Sequence, residues 1–330
     1  MAFRATYLSN DPISYFLQSS DEGPRLRVAD VVLRANQNPK EIFSHLIRLA
    51  TDSHWSHSAL LYLINDPPQG FDNTFLVEAV TTGVRVASWR NEVVPYEQFT
   101  VGIRRLALDW YAETPKDATT RQVSEREDVP GLAYLRHVRG LALDQINRLY
   151  NHNTVDELSA LYIQRVARRY RIPFVPTLAE DIANHFKQRD EAVLRFICSG
   201  LVQYSFFEAL RRRVINDMAV PAHREYALSN LSNLHRIIFH PDPEGIIANY
   251  VQQVQSGKLD IAAPVPGPVL DLLKTTTPAD LNNTTGLQWR YVIRKGWVWK
   301  ITEAPAGYQP QSSDEAAVLN LMVPEHASQK

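Results

Sequence analysis

The sequence predicts an α+β fold: a small antiparallel sheet packed on one long helix, with a helical insertion. Two observations carry this expectation. Short apolar runs follow one another at His57–Ile64, Thr74–Val80, Gly83–Trp89 and Phe99–Leu106, which reads as a compact antiparallel meander. Helical spacing then takes over from about Leu141 to Lys187 and again from Arg195 to Arg213.

The elements follow in order. Residues 1–24 read as an irregular lead-in. Arg25 to Ala35 carries Val28, Val31, Val32 and Leu33 and reads as a strand. Asn38-Pro39 opens a helix continued by Ile42, Phe43, Leu46, Ile47, Leu49 and Ala50 up to Thr51. His57 to Ile64 (HSALLYLI) is apolar on both alternating faces, as expected of a strand covered on both sides. Asp66-Pro67-Pro68-Gln69-Gly70 is a turn. In the helical stretch, Leu158, Leu161, Tyr162, Val166 and Ala167 share one face, until Pro173 and Pro176 break it. The helix after Arg195 presents Leu201, Val202, Phe206, Ala209 and Leu210. Another helix is expected around Ile246 to Val254, then a long loop from Gln255 to Pro268. Leu287 to Ile301 reads as a hairpin turning at Lys295-Gly296, and the chain from Pro305 onward reads as a flexible tail. The expected division is a lead-in (1–24), a first core half (25–106), a mainly helical insertion (107–195), the second core half (196–304) and the tail (305–330).

Composition is that of an ordinary globular chain of 330 residues, 45% hydrophobic and 22% charged, with a formal net charge of −1. The charge balance gives no reason to expect a nucleic-acid partner. Arg168-Arg169 and Arg211-Arg212-Arg213 sit in helical patterns and read as solvated faces or a helix end. The first twenty residues lack the pattern of a secretory signal, being interrupted by Asp11, Pro12 and Gln18-Ser19-Ser20. No apolar stretch is long enough to cross a bilayer as a helix. A single cysteine permits no intrachain disulfide, so a cytoplasmic location is expected, although export without a cleavable signal would leave the same pattern.

That cysteine, Cys198, falls between Phe196-Ile197 and Ser199-Gly200, where a helix begins. A helix N-terminus stabilises a thiolate, and the thiolate is the nucleophilic form. The backbone N–H of Cys198 is an oxyanion donor candidate. The alternative is an inert, buried cysteine packed as a small hydrophobe. His57 opens an apolar strand, a suitable place for a base facing that helix end. An exposed loop histidine is its alternative, and a metal pair with His54 lacks a third ligand at a recognisable spacing. Glu78 stands mid-strand in Phe75 to Val80, where a carboxylate is costly to bury unless paired. Orienting an imidazole would give it a partner; pointing to solvent from an edge strand would spare it one.

Taken together, the segments resemble the circularly permuted branch of the NlpC-type papain-like cysteine hydrolases, the YiiX-like group, kin to lecithin:retinol acyltransferase. DVVLRA (Asp30 to Ala35) resembles the opening strand of that family. SHLIRLATDSHWSHSALLYL (Ser44 to Leu63) resembles its helix and histidine strand, LVEAVTTGVRVASW (Leu76 to Trp89) the next hairpin, and FICSGLVQYSFFEAL (Phe196 to Leu210) the nucleophile helix. The resemblance covers about half the chain, in pieces. It implies a permuted papain-like core with Cys198 as nucleophile, His57 as general base and Glu78 as orienter, and no cofactor or metal. The order, histidine before cysteine, is that of this branch. There are departures: Ala29 replaces the usual Gly before Asp30, and Gly200 stands where the family often has Glu. TPADLNNTTGLQWRY (Thr277 to Tyr291) matches the closing segment only faintly, and the stretch 107–195 is an insertion.

The expected function is a cysteine hydrolase, an amidase or peptidase or an acyl hydrolase, working through a thioester acyl-enzyme. A peptide, a peptidoglycan fragment or a lipid acyl group is the expected substrate. The alternatives are a non-catalytic binding module on the same fold and an acyltransferase acting on lipids. In the insertion, Tyr150, Tyr162, Phe174 and Phe186 are candidates for an apolar acyl groove, with core packing as the alternative.

Overall fold

The computed structural model describes residues 2–17, 19–20, 23–36, 44, 47–48, 51–63, 74–80, 83–89, 91, 99–106, 132–146 and 197–323. Among these, the chain is mixed helix and sheet. Eight strands form one antiparallel sheet: β1 (Ala2–Ser9), β2 (Val31–Asn36), β3 (His57–Leu63), β4 (Thr74–Val80), β5 (Gly83–Ser88), β6 (Phe99–Leu106), β7 (Leu287–Arg294) and β8 (Trp297–Ala304). Their order across the sheet is β1-β8-β7-β6-β2-β3-β4-β5. Among the described residues, the helices longer than a single short turn are α1 (Pro12–Leu17), α2 (Leu132–Leu143), α3 (Cys198–Met218), α4 (Arg224–Leu231), α5 (Ile246–Gln255), α6 (Gly267–Lys274), α7 (Pro278–Asn283) and α8 (Ser313–Leu319).

The expected meander holds for β3 to β5 but not for β6. That strand lies on the other side of β2, from Val31↔Arg104 to Asn36↔Phe99, and carries the sheet on to β7. Seven of its eight residues are buried. A strand buried on both faces needs a neighbour on each edge, which the end of a meander does not offer. The hairpin β7–β8 turns at Lys295-Gly296 as expected. Both residues have positive φ, 52° and 78°, the backbone of a tight two-residue turn with the hand of the sheet twist.

The sheet is covered on both faces, which explains why its strands are apolar at successive positions. On one face Val31, Leu33, Leu60 and Val77 join a core with Leu201, Val202 and Phe206 of α3. On the other, Val32, Ala59, Leu61, Leu76 and Ile103 pack with Phe16 of α1 and Tyr291. Helix α3 is buried from Cys198 through Arg211, as an element surrounded by others must be. Tyr134 of α2 donates its hydroxyl to the Phe206 carbonyl at 2.8 Å, and the Gln203 side chain is held between Ile237 O and Phe239 N. The expectation of a solvated face at Arg211 to Arg213 is corrected at Arg211. It is buried, paired with Glu208 at 2.9 Å, and donates to Ala263 O.

Three further expectations are corrected. The lead-in contains β1 and α1, because β1 finds a partner 300 residues away, from Ala2↔Ala304 onward. The strand expected from Arg25 begins at Val31. Before it, Asp30 accepts the Arg27 N–H and pairs with the buried Arg105 guanidinium through both oxygens, at 2.7 Å each, and Ala29 takes φ 61°. The tail carries α8, capped by Ser312. Glu315 of α8 is buried and accepts the Ala5 N–H of the edge strand β1 at 3.0 Å, along with Tyr308 Oη and Gln311 N. An edge donor is thereby satisfied and covered.

The loop expected from Gln255 to Pro268 ends earlier, since α6 begins at Gly267. Of the helix expected after Asn38, residues 44, 47, 48 and 51 are helical. The turn at 66–70 and the stretch 147–196, including Tyr150, Tyr162, Phe174 and Phe186, lie outside the described residues.

Candidate active site

Cys198 is the first residue of α3. The residue before it, Ile197, is extended, and no side chain caps the helix. The first-turn N–H groups therefore remain available to negative charge at the sulfur or beside it. Two contacts fix this turn in place. Ser199 Oγ donates to Thr276 O at 2.6 Å. Gly200 lies against the end of α6, where a Cβ would stand 2.7 Å from Lys274 O. Only glycine lets the two backbones approach so closely.

His57 and Glu78 are brought together by register. Ala59 lies opposite Glu78, so His57, two residues earlier, is its diagonal neighbour on the same face. His57 Nε2 and Glu78 Oε2 are 2.7 Å apart. Glu78 is fully buried, whereas the His57 side chain is 17% exposed. With Nε2 engaged by the carboxylate, Nδ1 is the nitrogen left for another partner. The Cys198 thiol lies close enough to the imidazole for each to shift the other's titration. The N–H and hydroxyl of Ser58, next along β3, also favour the thiolate, although Ser58 Oγ makes no hydrogen bond of regular geometry.

Two arginines complete the arrangement. Arg85 stands directly across from Glu78 and donates from Nε and Nη2 to Oε1, at 2.9 and 2.6 Å. Arg34 stands across from His57, with Nη2 3.9 Å from Oε2. The buried carboxylate thus faces three cationic groups, which offsets its desolvation.

The electrostatics follow. Burial opposes a charge on His57, and so does Arg34. The Cys198 thiolate and the Glu78 carboxylate outweigh both and raise the imidazole pKa to about 9. Burial likewise opposes the thiolate, but His57 and Ser58 bring the Cys198 thiol below its ordinary value. Burial pushes Glu78 up, and His57, Arg34 and Arg85 pull it down to about 2. The mutual shifts of Cys198, His57 and Glu78 all favour the charged forms, thiolate, imidazolium and carboxylate. Cys198 is 2% exposed. A low-pKa thiolate hydrogen-bonded to an imidazole, itself held by a carboxylate, can attack a carbonyl carbon and return a proton to a leaving group.

The structure brings together all three residues singled out in the sequence. Ser58, Arg34 and Arg85 were missed. Arg85 was legible in principle, because a hairpin centred between positions 81 and 82 sets 85 opposite 78. Among the described residues, no group of three His, Cys, Asp or Glu side chains could hold a metal ion. A cavity of about 520 Å³ between α5 and the chain that precedes it, lined by His235, His240, Asp242 and Val251, contains none of the three residues. No family model matches this chain, and no curated protein matches it.

Proposed function

We propose that this protein is a cysteine hydrolase on a permuted papain-like core, with Cys198 as nucleophile, His57 as general acid–base and Glu78 as orienter. The observation that carries the reading is the placement of His57, with Glu78 Oε2 2.7 Å from its Nε2 and the Cys198 thiol near enough for thiol and imidazole to shift each other's titration. This is the nucleophile–base–orienter logic of acyl transfer.

In the first half-reaction the Cys198 thiolate adds to the carbonyl carbon of an amide or ester. The oxygen becomes an oxyanion, with the Cys198 N–H as a donor at the uncapped helix start. The imidazolium gives its proton to the leaving nitrogen or oxygen, the C–N or C–O bond breaks, and a thioester remains. In the second, neutral His57 takes a proton from water, the hydroxide adds to the thioester, and collapse releases the acid. The sulfur leaves as thiolate beside the imidazolium, which restores the starting pair. A peptide, a peptidoglycan fragment or a lipid acyl group fits this chemistry. No cofactor enters these steps. The described residues contain no helix long and apolar enough to cross a membrane.

The test is an acyl probe panel, peptide amide against lipid ester, on wild type and Cys198→Ala. Labelling of the wild type by one probe class and none of the variant is expected. Labelling that survives the substitution would remove Cys198 from the role.

A further inference from the structure

We infer that Arg85 is a positioning residue of this site: it grips one carboxylate oxygen of Glu78 so that the other stays on His57. The inference rests on the reading of Cys198, His57 and Glu78 given above. Its basis is the division of the two oxygens. Oε1 receives both Arg85 bonds, at 2.9 and 2.6 Å, while Oε2 receives His57 at 2.7 Å. Two donors from one rigid guanidinium fix the position of Oε1, and a single imidazole bond to Oε2 does not supply that constraint.

Arg34 makes such a constraint necessary. It approaches the oxygen that His57 uses, at 3.9 Å, and stands across from His57 in the sheet. With Arg85 removed, Oε1 loses two donors in a fully buried place. The carboxylate is then free to turn toward the Arg34 guanidinium, which competes with the imidazolium for it. His57 loses its acceptor, and with it the support for the imidazolium beside the sulfur. The charged and titratable groups around the series are Arg34 from β2, His57 from β3, Arg85 from β5 and Cys198 from α3.

Arg85 also differs from its partner in exposure. Its side chain is 46% exposed while that of Glu78 is 0% exposed. The guanidinium therefore reaches a buried carboxylate from the solvent side, and a small cation from solution has a route into the space that a truncated side chain would leave.

The experiment is the pH dependence of Cys198 alkylation by iodoacetamide in the full chain, for wild type, Arg85→Gln, Arg85→Lys and Arg85→Ala, with thermal melts to show that each is folded. Wild type is expected to react with a midpoint below that of a free thiol. Arg85→Gln is expected to move the midpoint up by about one pH unit, roughly tenfold less thiolate at any pH well below both midpoints. Arg85→Lys, which keeps the charge but lacks the fork, is expected to fall between them. Millimolar guanidinium is expected to return Arg85→Ala toward wild type. A wild-type midpoint in folded Arg85→Gln, or in Arg85→Lys should the first variant not fold, would overturn the positioning role alone. A free-thiol midpoint in the wild type would overturn the nucleophile reading as well.

Discussion

Ser199 Oγ and the Thr276 carbonyl oxygen lie 2.6 Å apart, and this bond ties the residue after Cys198 to the chain that follows α6. Beside it, Gly200 leaves no room for a side chain against Lys274 O. Gly200→Ala is expected to push the start of α3 away from α6. The expected cost is about 1–3 kcal/mol, in the range of overpacked cores, with slower Cys198 alkylation. Ser199→Ala, which leaves the Thr276 carbonyl without this donor, is expected to cost roughly 1–3 kcal/mol. Urea denaturation measures both. Equal stability of Gly200→Ala and wild type would show that the contact yields easily.

The thiolate–imidazolium pair sets the pH dependence of the chemistry. The acid limb of turnover should follow Cys198, whose thiol is held below its ordinary value. The alkaline limb should follow His57 near 9, where the proton for the leaving group is lost. Alkylation needs the thiolate only, so it should show the acid limb without the alkaline one. An alkylation profile that rises only at the free-thiol value would contradict the pair.

Glu78 contributes to stability with the opposite dependence from a histidine. Its folded pKa, about 2, lies below the ordinary value of 4.5. Its contribution is therefore complete above pH 4.5 and lost as pH falls toward 2. The shift corresponds to roughly 3 kcal/mol for a group held at full burial. Glu78→Gln should be less stable than wild type at pH 6, and its stability should change less between pH 4.5 and pH 2.5. It should also lose turnover by about a hundredfold or more, because an amide cannot support the imidazolium as a carboxylate does. Parallel acid curves for the two proteins would refute the linkage.

Ala29 adopts φ 61°, a left-handed conformation that costs an L-residue about 1–2 kcal/mol. Its N–H donates to Leu61 O, and the Leu61 N–H donates to Asp30 O, so the conformation is built into the start of the sheet. Ala29→Gly removes the strain and adds freedom to the unfolded chain. The net expectation is a gain of about 0.5–1 kcal/mol, read as a higher denaturation midpoint without a change in slope. A lower midpoint would show that the methyl group contributes more by packing than it costs in strain.

Much of the site was legible because its signals are local. His57 and Glu78 stand in apolar runs whose strand character needs no distant partner, and Cys198 precedes a helix marked by its own spacing. The glycine that the resemblance expects at position 29 has a physical reason, since Ala29 takes a positive φ. What was not legible depends on pairing at long range. Nothing within Ala2–Ser9 announces a strand whose partner lies at 298–304. Nothing in the last segment distinguishes a loose end from α8, until Glu315 is seen on the Ala5 N–H. The position of β6 beside β2 is likewise a choice between two edges that its own residues do not make. Arg211 read as solvent-facing because its partner Glu208 is on the same helix, and burial of such a pair is decided by what packs over it.

The pairing of β1 with β8 also bears on how the protein is made. Of the eight strands described, β1 is synthesised before the others and placed last, because its partner is about 300 residues away. Contacts of such sequence separation slow folding, since the chain between them must lose its freedom before they form. The half of the sheet from β6 to β5, with α3, can assemble before β7 arrives. Until then β6 shows an apolar, unpaired edge, the kind of surface on which nascent chains associate. The interval before residues 287–304 are synthesised is thus the period of greatest exposure to aggregation, and slowing or truncating translation there should trap chains that already hold Cys198, His57 and Glu78.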